Sequence, residues 1–406
     1  MEKRTIRCAL ELALVLLGGT TVGCGNCNGD DGSDGGDGTV MLSTKGWIYY
    51  GLGSAPDQHM DVEGDTITTF KNAADRIEIT SLSSEGDFLA GYSVPFSATV
   101  KGIKVIDGVA YIIAEEGGIG FVCAIEGGAT KWCIPLGGIP KDFDQDAKGN
   151  LVIVGSITTW IKEGYEVVMA VVSPSDPSYK TPTDCYIAFV SRDGKLLEEQ
   201  TCADGFVKSL YRVLVLDGKM LLYGTTDTDS LFFLSWNGTE GGFVRELHPP
   251  SPSTPCGMAV LPDGSINLAY NTPNGMGLTV LDSEGDPHSS TFYSTEQGIF
   301  QANDLAADFQ GRPLAAGAVG KTPAILWDGG AYFYTFESGA TFTSVKTPGG
   351  RAVLAGVTEK RSFVMQLNGD LTSNVIPSEK VAASSSPAQV SVTDAADKFM
   401  LKTIYP

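Results

Sequence analysis

A turn glycine followed by a short apolar run recurs along most of the chain, and no other feature restricts the fold as strongly. Seven copies are spaced 44, 41, 69, 46, 47 and 39 residues apart. The glycines that open them are Gly64, Gly108, Gly149, Gly218, Gly264, Gly311 and Gly350. Because glycine accepts a positive φ and short β-rich runs follow it, each copy predicts a β-hairpin. With 50 glycines in 406 residues, a coiled coil is excluded.

A second series of turns interleaves with the first and gives each repeat its size. Its glycines are Gly86, Gly128, Gly194, Gly238, Gly285, Gly329 and Gly369. Apolar runs precede most of them, such as Leu231–Leu234. Each repeat therefore contains two hairpins, or four strands. Four-stranded units of roughly 40–45 residues are the blades of a β-propeller.

The two ends of the chain predict how the ring closes. Residues Gln389–Thr403 resemble an eighth first hairpin that turns near Ala396, and Val40–Gly51 resembles an unmatched second hairpin. We expect the two to combine into one composite blade, which closes a ring of eight blades and removes its edge strands. Seven blades with spare terminal strands are the alternative. In both cases the fold class is all-β and residues 40–406 form a single propeller domain.

The first residues predict an exported lipoprotein. Three basic residues lead into an apolar stretch, Cys8 to Leu17, and then into small residues, as in a signal peptide over residues 1–23. The sequence TVGC that ends at Cys24 resembles the lipobox of bacterial lipoproteins, in which the cysteine is lipidated. An ordinary signal peptide with an incidental cysteine is the alternative. Residues 24–39 are rich in Gly and Asp, which predicts a flexible tether.

The charge balance limits the possible partners. Lys and Arg number 28 against 48 Asp and Glu, for a net charge of −20. A surface that binds duplex nucleic acid needs clustered lysine and arginine, so we expect no nucleic-acid partner. We expect an exported protein, lipid-anchored at the outer membrane on its periplasmic or cell-surface side. It would be a monomer that binds a protein or polysaccharide of the cell envelope.

Four cysteines fall in pairs that flank second-series turns. Cys185 and Cys202 face each other when residues are counted outward from a two-residue loop, and Cys123 and Cys133 flank the corresponding turn one repeat earlier. Two pairs at equivalent positions predict two disulfides, which form in an oxidising compartment. Buried free thiols and a zinc site are the alternatives, and zinc fits poorly because the spacings lack the C-x2-C pattern. Two further cysteines are left over, Cys27 and Cys256.

Candidate catalytic and metal-binding residues are few. The three histidines, His59, His248 and His288, are scattered, which predicts surface loops rather than a catalytic site. Asp142, Asp144 and Asp146 alternate along the chain and could supply oxygen ligands to Ca²⁺. Hydrogen bonding of these carboxylates to turn amides is the alternative. We expect no cofactor, with Ca²⁺ at these three residues as the metal candidate.

The long repeat contains an insertion near residues 159–184. Three aromatic residues punctuate it, Trp160, Tyr165 and Tyr179. Loops that exceed a repeat's period lie on one face of a propeller and often carry binding, so this loop is a candidate partner surface. An extension of a blade strand over Glu166–Val172 is the alternative.

Two short phrases resemble known propeller repeats. Asp146 opens the phrase DAKGNLVIVG, which resembles the repeats of bacterial extracellular β-propellers of the SBBP and NHL types. The turn AIEGGATKWC, which contains Trp132, is similar to the tryptophan-docking turn of quinoprotein-type propellers. That group includes the eight-bladed lipoprotein scaffold of outer-membrane barrel assembly. Other repeats lack the tryptophan, so no quinone cofactor is assigned. The resemblance implies a surface or periplasmic lipoprotein whose ring presents loops to another macromolecule.

Two functions of different class remain. The first is a noncatalytic interaction or scaffold propeller of the cell envelope, which the tether, the repeat and the lack of a catalytic motif favour. The second is a secreted carbohydrate-active enzyme, a lyase or hydrolase, with its site in the central channel. Under the second hypothesis, polar residues of the innermost strands would face that channel. They are Lys104, Asp144, Arg212, Asp304 and Lys346.

Overall fold

The computed structural model describes the chain from residue 39 onward, with gaps. The described residues are 39–43, 46–51, 58–73, 75–158, 160–162, 165–167, 183–202, 206–236, 242–249, 252–308, 310–327, 330–334, 336, 339–348, 351–367, 378–382, 384–387, 390–394 and 401–405. They belong to one compact unit, Asp37–Pro406. A second unit, Met1–Gly36, lies outside the described residues, as do the predicted signal peptide, Cys24, Cys27 and nearly all of the tether. None of the described residues lies in a helix of the length and apolarity that crossing a bilayer requires.

The described residues form seven antiparallel sheets arranged as propeller blades, together with one separate hairpin. The chain begins with a hairpin, β1 (Thr39–Ser43) and β2 (Gly46–Tyr50). Blade 1 holds β3 (Gln58–Glu63), β4 (Thr66–Asn72), β5 (Arg76–Ser83) and β6 (Phe88–Pro95). Blade 2 holds β7 (Thr99–Ile106), β8 (Val109–Glu116), β9 (Ile119–Glu126) and β10 (Ala129–Leu136). The first strands of successive blades contact one another, so they form the inside of the ring.

Blade 3 is interrupted by the separate hairpin, and blades 4 to 6 repeat the same plan. Blade 3 holds β11 (Ile139–Gln145), β12 (Leu151–Thr158), β15 (Thr183–Val190) and β16 (Leu196–Cys202), with β13 (Trp160–Lys162) and β14 (Tyr165–Val167) between β12 and β15. Blade 4 holds β17 (Val207–Leu216), β18 (Lys219–Thr226), β19 (Leu231–Trp236) and β20 (Phe243–His248). Blade 5 holds β21 (Thr254–Val260), β22 (Ile266–Thr272), β23 (Gly275–Leu281) and β24 (Pro287–Ser294). Blade 6 holds β25 (Phe300–Ala307), β26 (Pro313–Val319), β27 (Thr322–Trp327) and β28 (Gly330–Tyr334).

Blade 7 combines strands from both ends of the chain. Its inner strands are β29 (Ala340–Lys346), β30 (Val353–Thr358) and β31 (Ser362–Gln366). The N-terminal hairpin completes it, because β2 pairs with β31 and β1 pairs with β2. The predicted second hairpin at Val40–Gly51 is therefore present, and it joins the repeat that begins at Gly350.

The C-terminal segment forms a belt around the outside of four blades. The C-terminal belt consists of β32 (Ser378–Ala382), β33 (Ser384–Pro387), β34 (Ser391–Asp394) and β35 (Leu401–Tyr405). These strands add a fifth, antiparallel strand to blades 6, 5, 4 and 3 in that order. Successive strands of the C-terminal belt therefore pair with the blades in the reverse of their order along the chain. It covers outer edges that would otherwise present unpaired backbone groups.

The expected eighth blade is wrong, and the seven-blade alternative is correct. The two described strands of this segment do not pair with each other, since β34 pairs with β20 and β35 pairs with β16 of the neighbouring blade. The physical reason is that the outer strands of blades 3 and 4 have free backbone N–H and C=O groups, with which each short strand can form hydrogen bonds. The composite blade is also real, but its strands come from β29–β31 and the N-terminal hairpin rather than from the C-terminus.

The core is divided among the junctions between blades. Seven clusters of buried apolar residues each span two adjacent blades, and one of them, with Trp47, Met60 and Val353, joins blade 7 to blade 1. Blades packed on both faces need strands that are apolar on both faces, which explains continuous runs such as Leu151–Val154. The described ring is therefore closed by hydrophobic packing as well as by strand pairing.

Aromatic side chains dock each of several blades onto the next. An aromatic residue of a fourth strand covers the turn glycine between the third and fourth strands of the following blade. The pairs are Trp47 on Gly86, Tyr92 on Gly128, Trp132 on Gly194 and Phe243 on Gly285. The Trp132 indole also donates a hydrogen bond to the Arg192 carbonyl (3.0 Å). Trp47 repeats this docking, since its indole donates to the Ser84 carbonyl (3.1 Å), two residues before Gly86. Tyr92 and Phe243 place another aromatic ring over the turn glycine at two further junctions.

Candidate functional site

Carboxylates on the innermost strands link several blades to the next one. Asp142 and Asp144 lie two residues apart on β11 and accept hydrogen bonds from the backbone N–H groups of Val213 (3.0 Å) and Val215 (2.7 Å) on β17. Innermost strands have a free edge, and their N–H groups need acceptors when they are buried. The side chains of blade 3 supply those acceptors to blade 4.

The same link recurs at other junctions. Asp61 of blade 1 accepts from Val105 N–H (2.7 Å), and Asp304 of blade 6 accepts from Val345 N–H (3.0 Å). The side-chain amide of Asn271 on β22 makes a comparable two-sided contact with the backbone of Ala302. These polar groups hold the blades in register around the channel, which is a structural role.

Cations complete the polar network of the channel. Lys104 forms an ion pair with Asp144, and Arg212 lies 3.8 Å from Asp304. Arg212 also donates to the carbonyl oxygens of Cys256 (2.6 Å) and Asn303 (3.0 Å). Four of the five residues predicted to face the channel are therefore brought together in pairs.

The remaining channel residue, Lys346, acts through its charge. Burial raises the pKa of the Asp142 carboxyl above its ordinary value. Arg212, the bond from Val213 N–H, Lys104 and Lys346 all oppose that rise by favouring the carboxylate. The carboxylates of this network are thus held by backbone donors and cations of neighbouring blades.

The three aspartates proposed for Ca²⁺ point to different partners. Asp146 accepts hydrogen bonds from Lys148 N–H (2.8 Å) and Asn150 N–H (2.8 Å) within its own turn, as the alternative expected. Asp142 and Asp144 serve blade 4 instead. Among the described residues, no group of three or more His, Cys, Asp or Glu side chains could hold a metal ion.

The histidines occupy strands rather than the surface loops expected for them. His59 lies on β3, His248 on β20 and His288 on β24. His248 Nδ1 lies 2.9 Å from Ser230 Oγ. The three rings belong to different blades, so they do not form a common site.

Both predicted disulfides are present. Cys123 faces Cys133 across β9 and β10, with Cα atoms 4.0 Å apart, and Cys185 pairs with Cys202 with Cα atoms 5.4 Å apart. Each joins the third and fourth strands of its blade. Cys256 is a buried free thiol, and burial raises its pKa to about 12.

A cavity at one end of the channel brings cations together. This mouth pocket has a volume of about 370 Å³. It is lined by Lys101, Glu115, Ile139, Pro140, Lys141, Tyr211, Arg212, Pro255, Cys256, Asn271, Ala302 and Asn303. Most of these residues come from the first strands of blades 2 to 6, and nearly all of those lie near the points where the strands begin. A positive pocket of this kind contrasts with a chain whose net charge is −20.

Lys141 is the unusual member of the mouth pocket. Its Nζ lies 3.5 Å from the centroid of the Tyr211 ring and donates to Ser209 Oγ (2.7 Å). In the described part of the chain it has no carboxylate partner, whereas the nearby Lys101 pairs with Glu115 at 3.2 Å. Burial, reinforced by Lys101, lowers the pKa of Lys141 from 10.5 to about 8. The sequence analysis missed this residue, although Lys101 and Lys141 both occupy the third position of an innermost strand.

The insertion leaves the ring on the same side as the mouth pocket. It follows Thr158 at the end of β12, next to the start of β11, because Ser156 pairs with Ile139. Trp160 and Tyr165 lie on β13 and β14, which pair with each other rather than with blade 3. Glu166 and Val167 therefore do not extend a strand of blade 3, in contrast to the alternative interpretation of the insertion. Tyr179 and the rest of that segment, residues 168–172, lie outside the described residues.

Comparison with known proteins gives matches to solved structures alone. No protein-family model matches the chain, and no curated protein matches it. The Dos1 propeller is 8% identical over 79% of this chain and 93% of its own, with a TM-score of 0.47. BamB from Moraxella catarrhalis is 12% identical over 81% of this chain and 93% of its own, with a TM-score of 0.40. Hydrazine synthase of Kuenenia stuttgartiensis is 11% identical over 64% of this chain and 79% of its own, with a TM-score of 0.45.

Proposed function

We propose that this protein is a noncatalytic interaction module of the bacterial cell envelope, exported and lipid-anchored at the outer membrane through Cys24. The observation that carries the noncatalytic assignment is the state of the channel carboxylates. Asp142, Asp144 and Asp304 each accept a backbone N–H of the next blade. Glycoside hydrolysis instead requires two carboxyls that flank one sugar bond.

Export is supported by the disulfides. Cys123–Cys133 and Cys185–Cys202 would be reduced in an ordinary bacterial cytoplasm, whereas they persist in a periplasm or at a cell surface. The predicted signal peptide and the lipobox-like sequence before Cys24 agree with this location.

The partner surface is the face that carries both the mouth pocket and the insertion. Loops on one side of a rigid ring provide contact area without disturbing the blades. The channel network supports the rigidity of that ring, since it ties several innermost strands to their neighbours. A protein or polysaccharide of the envelope would bind at this face.

One experiment in intact cells tests location and binding together. Cells are labelled with an alkyne palmitate and treated with an amine-reactive crosslinker. We expect label on the wild-type protein and none on Cys24→Ala, and a discrete crosslinked product that survives washing.

A second variant removes the insertion without harming the blade. Because Thr158 pairs directly with Thr183, residues 159–182 can be replaced by Asn-Gly, which closes a two-residue hairpin. The crosslinked product should then be lost while the disulfides and the cooperative unfolding persist. An unlabelled soluble wild-type protein would refute the anchor, and release of reducing sugar from envelope polysaccharide would favour the carbohydrate-active alternative.

A further inference from the structure

The mouth pocket combines size, positive charge and an ammonium that has no carboxylate partner among the described residues. Its cations come from three consecutive blades, with Lys101 on β7, Lys141 on β11 and Arg212 on β17. A volume of about 370 Å³ admits one or two side chains of a partner. Strands rather than loops hold all three cations, so their positions are fixed before a ligand arrives.

The three cations differ in the hydrogen-bond and ion-pair partners that they already have. Arg212 is occupied by the carbonyls of Cys256 and Asn303 and by Asp304. Lys101 is paired with Glu115. Lys141 has three N–H donors, of which Ser209 takes one while the Tyr211 ring lies against the ammonium. Lys141 is therefore the group with a donor to spare.

Keeping Lys141 in this position is unfavourable for the free protein. A half-buried ammonium without a counter-ion is disfavoured, and Lys101 repels it further. A carboxylate placed in the pocket would supply the missing counter-ion and a charge-assisted hydrogen bond. An unpaired, pKa-shifted lysine in a cavity is the arrangement expected of a binding group rather than a structural one.

We propose that the mouth pocket binds a carboxylate of an acidic peptide segment that belongs to the partner protein, with Lys141 as the recognising residue. This inference rests on the proposed function, because it names the partner chemistry of the same face. A peptide is favoured over a sugar acid by Tyr211. Its ring is covered by the Lys141 ammonium and offers no free platform on which a sugar ring could stack.

The probe is a fluorescein-labelled hexaglutamate peptide, and its binding to the full-length protein is followed by fluorescence anisotropy. Lys141→Gln should weaken binding about tenfold or more, since a hydrogen bond to a charged group contributes about 1.5–3 kcal/mol. The matched control is Lys148→Gln, an exposed lysine in the β11–β12 turn at the opposite end of β11. It makes the same charge change and should alter binding less than about twofold.

The pH dependence gives a readout that general charge attraction does not mimic. The groups that face Lys141 are Lys101 and Glu115 of blade 2, Tyr211 and Arg212 of blade 4, and Cys256 of blade 5. Burial raises the pKa values of Tyr211 and Cys256, so neither titrates near pH 8. Affinity should be constant up to about pH 8 and fall about tenfold per pH unit above it, because Lys141 must then take up a proton to bind. Lys141→Arg should still bind hexaglutamate, but its affinity should not fall above pH 8, because an arginine stays protonated.

Three outcomes would overturn the proposal. One is equal weakening by Lys141→Gln and Lys148→Gln, which would show attraction by net charge alone. Another is a wild-type affinity without a break near pH 8. The third is binding of oligogalacturonate, but not hexaglutamate, in a Lys141-dependent way, which would assign the pocket to a uronate. In each case the insertion-dependent crosslink would still stand as the separate test of the proposed function.

Discussion

At the scale of single residues, sequence patterns predicted partners in covalent bonds better than partners in polar networks. The two disulfides followed from counting residues outward from a hairpin turn, because antiparallel pairing fixes which residues face each other. Asp142 and Asp144 were candidate Ca²⁺ ligands, yet they bond to Val213 and Val215 about 70 residues later in the chain. The spacing of residues within one strand does not show which strand of another blade lies beside it. The hydrogen bonds of these two carboxylates to blade 4 could therefore not be predicted.

The half-buried Lys141 should affect how the stability of the protein depends on pH. The folded-state pKa of Lys141 is lowered to about 8 from an unfolded value near 10.5. Between these values the unfolded chain binds more protons, so the contribution of Lys141 to stability rises with pH across that window. Lys141→Met should therefore raise the free energy of unfolding at pH 7, by about 3 kcal/mol at most, and by much less at pH 10.5.

Urea unfolding of both proteins at the two pH values measures this difference. Tyrosines and other lysines titrate in both proteins, so their effects cancel in the comparison. A gain that is the same at pH 7 and pH 10.5 would mean that packing, rather than the charge, explains it.

At the scale of elements, the two ends of the chain were the least predictable parts. The N-terminal hairpin was recognised by its turn, whereas its partner strand was not. The C-terminal strands resembled a hairpin because QVSVTDAADKFMLKT alternates on both sides of a polar centre. Short alternating strands can pair with any exposed sheet edge, and the C-terminal strands pair with the outer edges of blades 3 to 6.

The two ends should differ in their contribution to stability. Trp47 of the N-terminal hairpin is 2% exposed, packs in the cluster between blades 7 and 1 and donates to the Ser84 carbonyl (3.1 Å). Trp47→Ala should lower the free energy of unfolding by about 3–5 kcal/mol. A chain that ends at residue 388 loses β34 and β35, whose described side chains, Ser391–Asp394, are mostly exposed. It should unfold cooperatively with a smaller loss than Trp47→Ala causes.

Differential scanning calorimetry compares the two variants with the wild-type protein. The order of the two effects is the informative result. A truncated chain that unfolds without cooperativity, beside a Trp47→Ala variant that melts like the wild type, would place ring closure at the C-terminus after all.

At the scale of the whole molecule, the period of the turns predicted the fold class and one ring. Seven first-series glycines correspond to seven blades in the described structure. The ring follows from the sequence because a blade that is apolar on both faces must be packed on both faces. The mouth pocket did not follow, since it combines residues of five blades that lie far apart in the chain. A site in a propeller can combine residues of several repeats, whereas a sequence motif lies within one repeat.

Site-specific photocrosslinking can show whether a partner binds the face that carries the mouth pocket. Ile299 and Leu216 are both exposed apolar residues, 47% and 43% accessible. Ile299 lies just before β25 on the mouth-pocket side, and Leu216 ends β17 on the opposite side. Each is replaced in turn by benzoylphenylalanine in native cells, which are then irradiated. We expect a discrete covalent adduct from position 299 and none from position 216. An adduct from position 216 alone would place the partner on the opposite face and contradict the proposal.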